Sequence, residues 1–249
     1  MADPWLGRDF ALRRVPLGEA AELLRESLAP YRAAFWRLLG LFVLLWIVVL
    51  ALLFVQTIGP FLSEAAGAVA FTGYTAALDA ASRSEPPDFR HLAVVARLGG
   101  DKLIVLMLTG VLPILLGILV LDAKWGLADT ARFIGELSSA QVQPPTVMVS
   151  DLQNAANLAS MPFTFVAPVW ALYRWSASRS MAANLLACAR NWRWVAVMTA
   201  FAMLADNLLI WMRTQGDGLA ALSDAGGIAT QMLLLAWTLA LARRAFPPS

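Results

Sequence analysis

From residue 38 to residue 55 the chain runs for eighteen positions without a charge, nearly all of them leucine, valine, isoleucine or aromatic. As a helix this run is about 27 Å long, close to the roughly 30 Å of a bilayer's hydrocarbon core. Within hydrocarbon every backbone N–H and C=O must be bonded by protein, so a single segment that crosses does so as a helix. The run is too long for the apolar part of a cleaved signal, and six arginines precede it, so it reads as a retained anchor.

Five further apolar stretches follow, at 58–80, 103–121, 155–173, 194–212 and 227–242. Composition agrees. The chain is 59% hydrophobic and 14% charged, with a mean hydropathy of +0.66, whereas soluble domains carry about 25% charged residues. The expected fold class is therefore all-α: a polytopic membrane helical bundle with six transmembrane helices, in one membrane domain over residues 1–249. Its expected parts are a cytoplasmic segment 1–37, spans 1 and 2 over 38–80, a unit over 86–173 and a unit over 177–242. A net charge of +2 offers no basic field to attract nucleic acid. One cysteine and one histidine exclude an internal disulfide, cysteine-based metal clusters and bis-histidine haem ligation. No metal or cofactor is expected.

Basic residues set the orientation, since the loops rich in them stay in the cytoplasm. With six spans, sixteen basic residues fall on one side: Arg8, Arg13, Arg14, Arg25, Arg32, Arg37, Arg83, Arg90, Arg97, Lys102, Arg174, Arg179, Arg190, Arg193, Arg243 and Arg244. Only Lys124, Arg132 and Arg213 fall on the other. Both termini are thus expected in the cytoplasm, in a bacterial inner membrane.

An amphipathic helix is expected before each odd-numbered span. The first places Leu17, Ala21, Leu24, Leu28, Tyr31 and Phe35 on one face, with Pro16 at its first position. The second aligns Phe89, Leu92, Ala96, Gly99 and Leu103, capped by Asp88. The third aligns Met181, Leu185, Cys188, Trp192 and Val195, with Ser178 or Ser180 as cap. Surface helix, outward span and return span would then recur three times in parallel orientation. The helices would form a cytoplasmic collar, with Trp36, Trp175, Trp192 and Trp194 at the interface. Residues 123–150 form a long outer loop, where Trp125, Phe133, Ile134 and Leu137 suggest an interfacial helix stopped by Pro144-Pro145. His91 is expected to be solvated.

Ala66, Ala70, Gly73, Ala77 and Ala81 share one face of the second span. Small residues let helices approach closely in lipid. This suggests a central helix or, as the alternative, a homo-oligomer seam through Ala66, Ala70, Gly73 and Ala77.

Candidate functional residues are few. Asp206 and Asn207 lie in the fifth span and Glu64 near the outer end of the second, with Asp122, Asp151 and Arg213 at similar depth. Acids at membrane depth mark ion or proton sites unless they are paired or wet; Asp206 could pair with Arg213 or Asn207. Pro113, flanked by Gly110 and Gly117, and Pro162 with Pro168 would interrupt spans three and four, as in transporters whose broken helices expose backbone groups. No P-loop, nucleophile elbow or dinucleotide fingerprint is present, and no enzymatic activity is expected.

The stretch Arg13-Arg14-Val15-Pro16, then Ile58-Gly59-Pro60, and Ala187-Cys188-Ala189-Arg190-Asn191-Trp192 resemble landmarks of an uncharacterised family of proteobacterial six-span inner-membrane proteins. More distantly, the helix-then-hairpin plan is similar to the membrane domain of some glycerophosphodiester phosphodiesterases. The resemblance implies six spans and transfers no activity. The expected role is a non-catalytic accessory or scaffold subunit, with the lipid bilayer and other membrane subunits as partners. The alternative is a small-solute or ion transporter or channel using Glu64, Asp206, Asn207, Pro113 and Pro162.

Overall fold

The structure, a computed structural model, describes residues 12–55, 58–137, 145–173 and 175–247. Arg8, Arg174 and Pro144 lie outside them. The fold is all-α, with no strand among the described residues. Its helices are α1 (Ala20–Leu53), α2 (Gly59–Ser82), α3 (Phe89–Leu92), α4 (Gly100–Trp125), α5 (Leu127–Leu137), α6 (Thr146–Ser160), α7 (Val166–Leu172), α8 (Ala177–Arg190), α9 (Trp192–Arg213) and α10 (Asp217–Ala245).

Among the described residues four helices are long and apolar enough to cross a membrane: α1 with its leading turn, α4, α9 and α10. A fifth crossing arises if α6 and α7, bent by 40° at their junction, form one span. The apolar windows of α1, α4 and α9 are each only 17% buried within the protein. Their apolar residues face outward: Ile47 and Val48, then Ile104 and Leu119, then Leu204 and Trp211 are all more than half exposed. An outward apolar surface of this kind suits lipid rather than water.

Helix α2 differs. It carries Glu64 and Asp79 and does not meet the apolarity of a span on its own. It sits at the centre, packed mainly on α1, α4 and α7, and every residue from Thr72 to Ala81 is buried. A helix shielded by its neighbours needs no apolar coat. Gly73 and Ala77 face inward, and a Cβ on Gly73 would stand 2.8 Å from the backbone oxygen of Leu92. These two positions are therefore occupied by contacts within the chain.

The three surface elements are unlike one another. The first belongs to α1, which continues into the span through a kink at Ala34 (φ −148°, ψ 42°). Pro16 precedes a 3-10 turn, Leu17–Glu19, one position earlier than expected. The inward face is Leu23, Ser27 and Pro30, while Leu17, Leu24 and Phe35 are 42–45% exposed. The second element is only α3 and the 3-10 turn Ala93–Arg97. Asp88 caps it, accepting from the Arg90 amide at 2.9 Å, and His91 Nδ1 accepts from the Asp88 amide in return, so the ring is a capping partner and not merely solvated. The third, α8, is capped by Ser176 rather than Ser178 or Ser180. Its inward face is Ser180, Ala183, Asn184, Ala187 and Cys188, while Leu185 and Trp192 point out. Leu17, Leu24 and Phe35 before the first span and Leu185 of α8 thus turn away from the protein, although Leu23 is fully buried. That pattern fits a helix lying at a membrane surface. Trp36 and Trp192 are exposed, but Trp194 is buried and its Nε1 donates to the Val15 carbonyl at 3.1 Å.

The described chain ends meet at one end of the bundle, where the Arg13 amide donates to the Ala245 carbonyl at 2.8 Å. Tyr173 Oη reaches Phe246 O there as well, at 3.0 Å. At the other end lie α5 and the start of α6, where Phe133, Leu121, Met148 and Leu152 form a small core of their own.

Candidate functional site

The acids expected near the outer end do not form one pocket. Asp206 accepts from Asn157 Nδ2 at 2.8 Å and from the side chain of Gln153, not from Arg213. Asn207 donates to Asn154 Oδ1 at 2.8 Å and accepts from Ser150 Oγ. Ser150, Gln153, Asn154 and Asn157 lie on one face of α6, at helical spacing, and form a polar seam against α9. This seam is missed when the fourth span is started at residue 155, although its spacing is readable. Asp151 binds Lys124 at 2.7 Å and Trp125 Nε1 at 2.9 Å. Arg213 pairs with Asp224. Glu64 stands on α2, whose main neighbours do not include α9, so it is not brought to Asp206.

The prolines act differently from one another. Pro113 lies buried inside a continuous α4, on a face with Leu106, Gly117 and Leu121. Pro162 does interrupt the chain, in the 3-10 turn Met161–Phe163 between α6 and α7. A break of this kind frees backbone groups. Here Asn184 of α8, fully buried, takes both: its Nδ2 donates to Pro162 O at 2.6 Å and its Oδ1 accepts from the Phe165 amide at 2.9 Å. Cys188, one turn on, also reaches Pro162 O, with its sulfur 3.5 Å away. Burial pushes the Cys188 thiol up to about 11. Pro168 is buried within α7. Sequence periodicity gives no sign of Asn184's task, because its partners are backbone atoms nineteen and twenty-two residues away.

At the end where the described chain ends meet, Arg243 and Arg244 are matched by acids. Arg244 lies among Glu19, Glu22 and Glu26, which share the acidic side of the first surface helix. The acid mixture of that helix therefore serves the last helix rather than its sibling surface helices. Asp79, 6% exposed, is held by Arg243 and Arg83. Arg243 also bonds Ser82 Oγ. Two clefts open here. One, of about 460 Å³, is lined by Arg83, His91, Arg97 and Lys102 together with Asp79, Trp170 and Tyr173. The other, of about 340 Å³, is lined by residues 14–17 and by Arg190, Asn191, Arg193 and Trp194. Among the described residues no group of three His, Cys, Asp or Glu side chains is placed to hold a metal ion.

No family model, curated protein or solved structure matches the chain.

Proposed function

We propose that this chain is a non-catalytic, six-span integral protein of a bacterial inner membrane, with both termini in the cytoplasm, acting as an accessory or scaffold subunit of a larger membrane assembly. The six crossings are α1, α2, α4, α6 with α7, α9 and α10. In this reading α2 crosses in spite of its acids because its neighbours shield it. The sixteen-to-three division of basic residues supports the orientation, and the meeting of Arg13 with Ala245 at one end fits an even number of crossings. The three-unit plan and the inner-membrane family suggested by the landmark residues belong to the same proposal.

One observation carries the role. The acid and amide groups of the α6–α9 seam bond to each other, Asp206 to Asn157 and Asn207 to Asn154 and Ser150, and the broken backbone at Pro162 is met by Asn184 of the surface helix α8. A conduit needs such groups turned to a solute; a scaffold needs them satisfied, with its working surfaces outside. Purification in mild detergent with native mass spectrometry tests the reading. A partner retained in fixed stoichiometry is expected, and a solitary chain or pure homo-oligomer counts against it. Asp206→Asn and Pro113→Ala should leave solute flux unchanged in reconstituted vesicles; altered flux favours transport. A reporter fused after Ser249 should report from the cytoplasm, and a periplasmic signal would end the topology.

A further inference from the structure

Two stretches that stand far apart in sequence meet where the described chain ends gather. Residues 13–16 run past the start of α9 and are fastened at three points. The Val15 amide donates to Asn191 Oδ1 at 2.8 Å, Asn191 Nδ2 donates to Arg13 O at 3.3 Å, and Trp194 Nε1 donates to Val15 O at 3.1 Å. Val15, Asn191 and Trp194 are each at most 3% exposed. The fastened strap and the α8–α9 junction enclose the cleft of about 340 Å³.

The charged groups lining this cleft are Arg14, Arg190 and Arg193, with no carboxylate among its lining residues. Among the described residues neither Arg14 nor Arg190 has an acid or hydrogen-bond partner. Arg193 rests over the Trp192 ring, 5.6 Å from its centroid. The nearby acids are engaged elsewhere: Glu19 holds Arg13 and Arg244, and Glu26 holds Arg244. By contrast Arg243 and Arg244, at the core of this end, are both matched by acids. Arg14, Arg190 and Arg193 give the lining of one cleft three positive charges and no carboxylate, a balance that favours an anion there.

We infer that the cleft binds a phosphate group, carried by an anionic phospholipid headgroup or by a small soluble phosphate. Guanidinium is planar and offers paired N–H donors that match phosphate oxygens. The volume lies at the lower end of the roughly 300–1,000 Å³ of small-ligand sites. Leu17 in its wall and Trp192 beside it are 42% and 57% exposed, an apolar border that suits a headgroup at a membrane surface. The inference does not depend on the scaffold reading: a retained phosphate ligand and a retained protein partner are separate signals.

The test uses the full chain in detergent. Wild type is mixed with phosphatidylglycerol or with phosphatidylcholine, and bound lipid is read by native mass spectrometry and by the shift in thermal unfolding. A parallel series adds sodium phosphate against sodium chloride at matched ionic strength. Arg14→Gln/Arg190→Gln is compared with Arg32→Gln/Arg37→Gln, which removes the same charge from α1. Wild type should hold phosphatidylglycerol in preference to phosphatidylcholine, and the cleft variant should bind about thirtyfold more weakly. The α1 variant should bind as wild type does. If inorganic phosphate alone stabilises wild type and that effect is lost in the cleft variant, the ligand is a soluble phosphate. If only the lipid acts, it is a headgroup. Either result supports the site. Should the double variant fail to fold by circular dichroism, Arg190→Gln alone is read in the same way. The inference is overturned if neither probe binds wild type, if the cleft variant binds as well as wild type, or if both variants lose binding equally.

Discussion

Gly110 tests how closely α2 and α4 approach each other. A Cβ built on Gly110 would stand 2.9 Å from the carbonyl carbon of Glu64, nearer still to its oxygen, and 3.0 Å from Ala68 Cβ. Ordinary Cβ contacts begin near 3.4 Å. The obstruction is backbone, so it cannot rotate away, and Gly110→Ala has to push α2 and α4 apart by about half an ångström or more. Overpacking of this kind costs about 1–3 kcal/mol. Alanine recovers about 0.5–1 kcal/mol by its better helix propensity, so a net loss of about 1–2 kcal/mol is expected. Gly40→Ala in α1 meets nothing within 4 Å and should be neutral or slightly stabilising. Gly117→Ala falls between, because its nearest obstacle is the end of the Leu152 side chain at 2.9 Å. Unfolding by sodium dodecyl sulfate in mixed micelles, followed by circular dichroism, ranks the three. Equal midpoints for Gly110→Ala and Gly40→Ala would refute the close packing of α2 on α4.

Asn184→Leu strips both partners from the broken backbone at Pro162 and Phe165. Two buried groups left unsatisfied predict a loss of about 2–4 kcal/mol, read by the same titration; a change below that of a surface substitution would mean that the break is satisfied in some other way. Arg244→Gln leaves Glu19, Glu22 and Glu26 facing one another. Since Glu22 and Glu26 are 64% and 45% exposed, water screens much of the repulsion, and about 1–2 kcal/mol is expected. Protease should then cut the segment around residues 13–26 faster than in wild type, and unchanged cutting would argue against the clamp. Cys188 should resist maleimide at pH 7.5 in the folded protein. Its thiol, raised from 9.0 to about 11 by burial, holds about a hundredfold less thiolate than an ordinary cysteine below pH 9. Labelling should quicken as pH rises toward 11, and equal rates in folded and denatured protein would contradict its burial.

Local patterns carried much of the architecture. Runs of apolar residues marked α1, α4, α9 and α10 because a lipid-facing helix must be apolar along its length, and that requirement is written residue by residue. The Asp88 cap and the helical stretch of the outer loop, now α5, were legible for the same local reason. Which side chains of α1 and α8 meet the protein was not, since periodicity shows that a helix has two faces without showing which one faces inward.

What the sequence determined by itself was the all-α class and which helices are apolar enough to cross a bilayer. Both follow from a demand that acts on each segment separately: hydrocarbon requires an apolar helix with its backbone groups bonded internally. Tertiary structure decided which polar groups find each other. Asp206 with Asn157, Asn184 with the break at Pro162, Arg244 with three glutamates, and the strap at Val15 with Asn191 join residues between nineteen and two hundred and twenty-five positions apart. No local periodicity encodes such pairs. They exist because packing brings polar atoms of distant segments within hydrogen-bond reach where water is excluded.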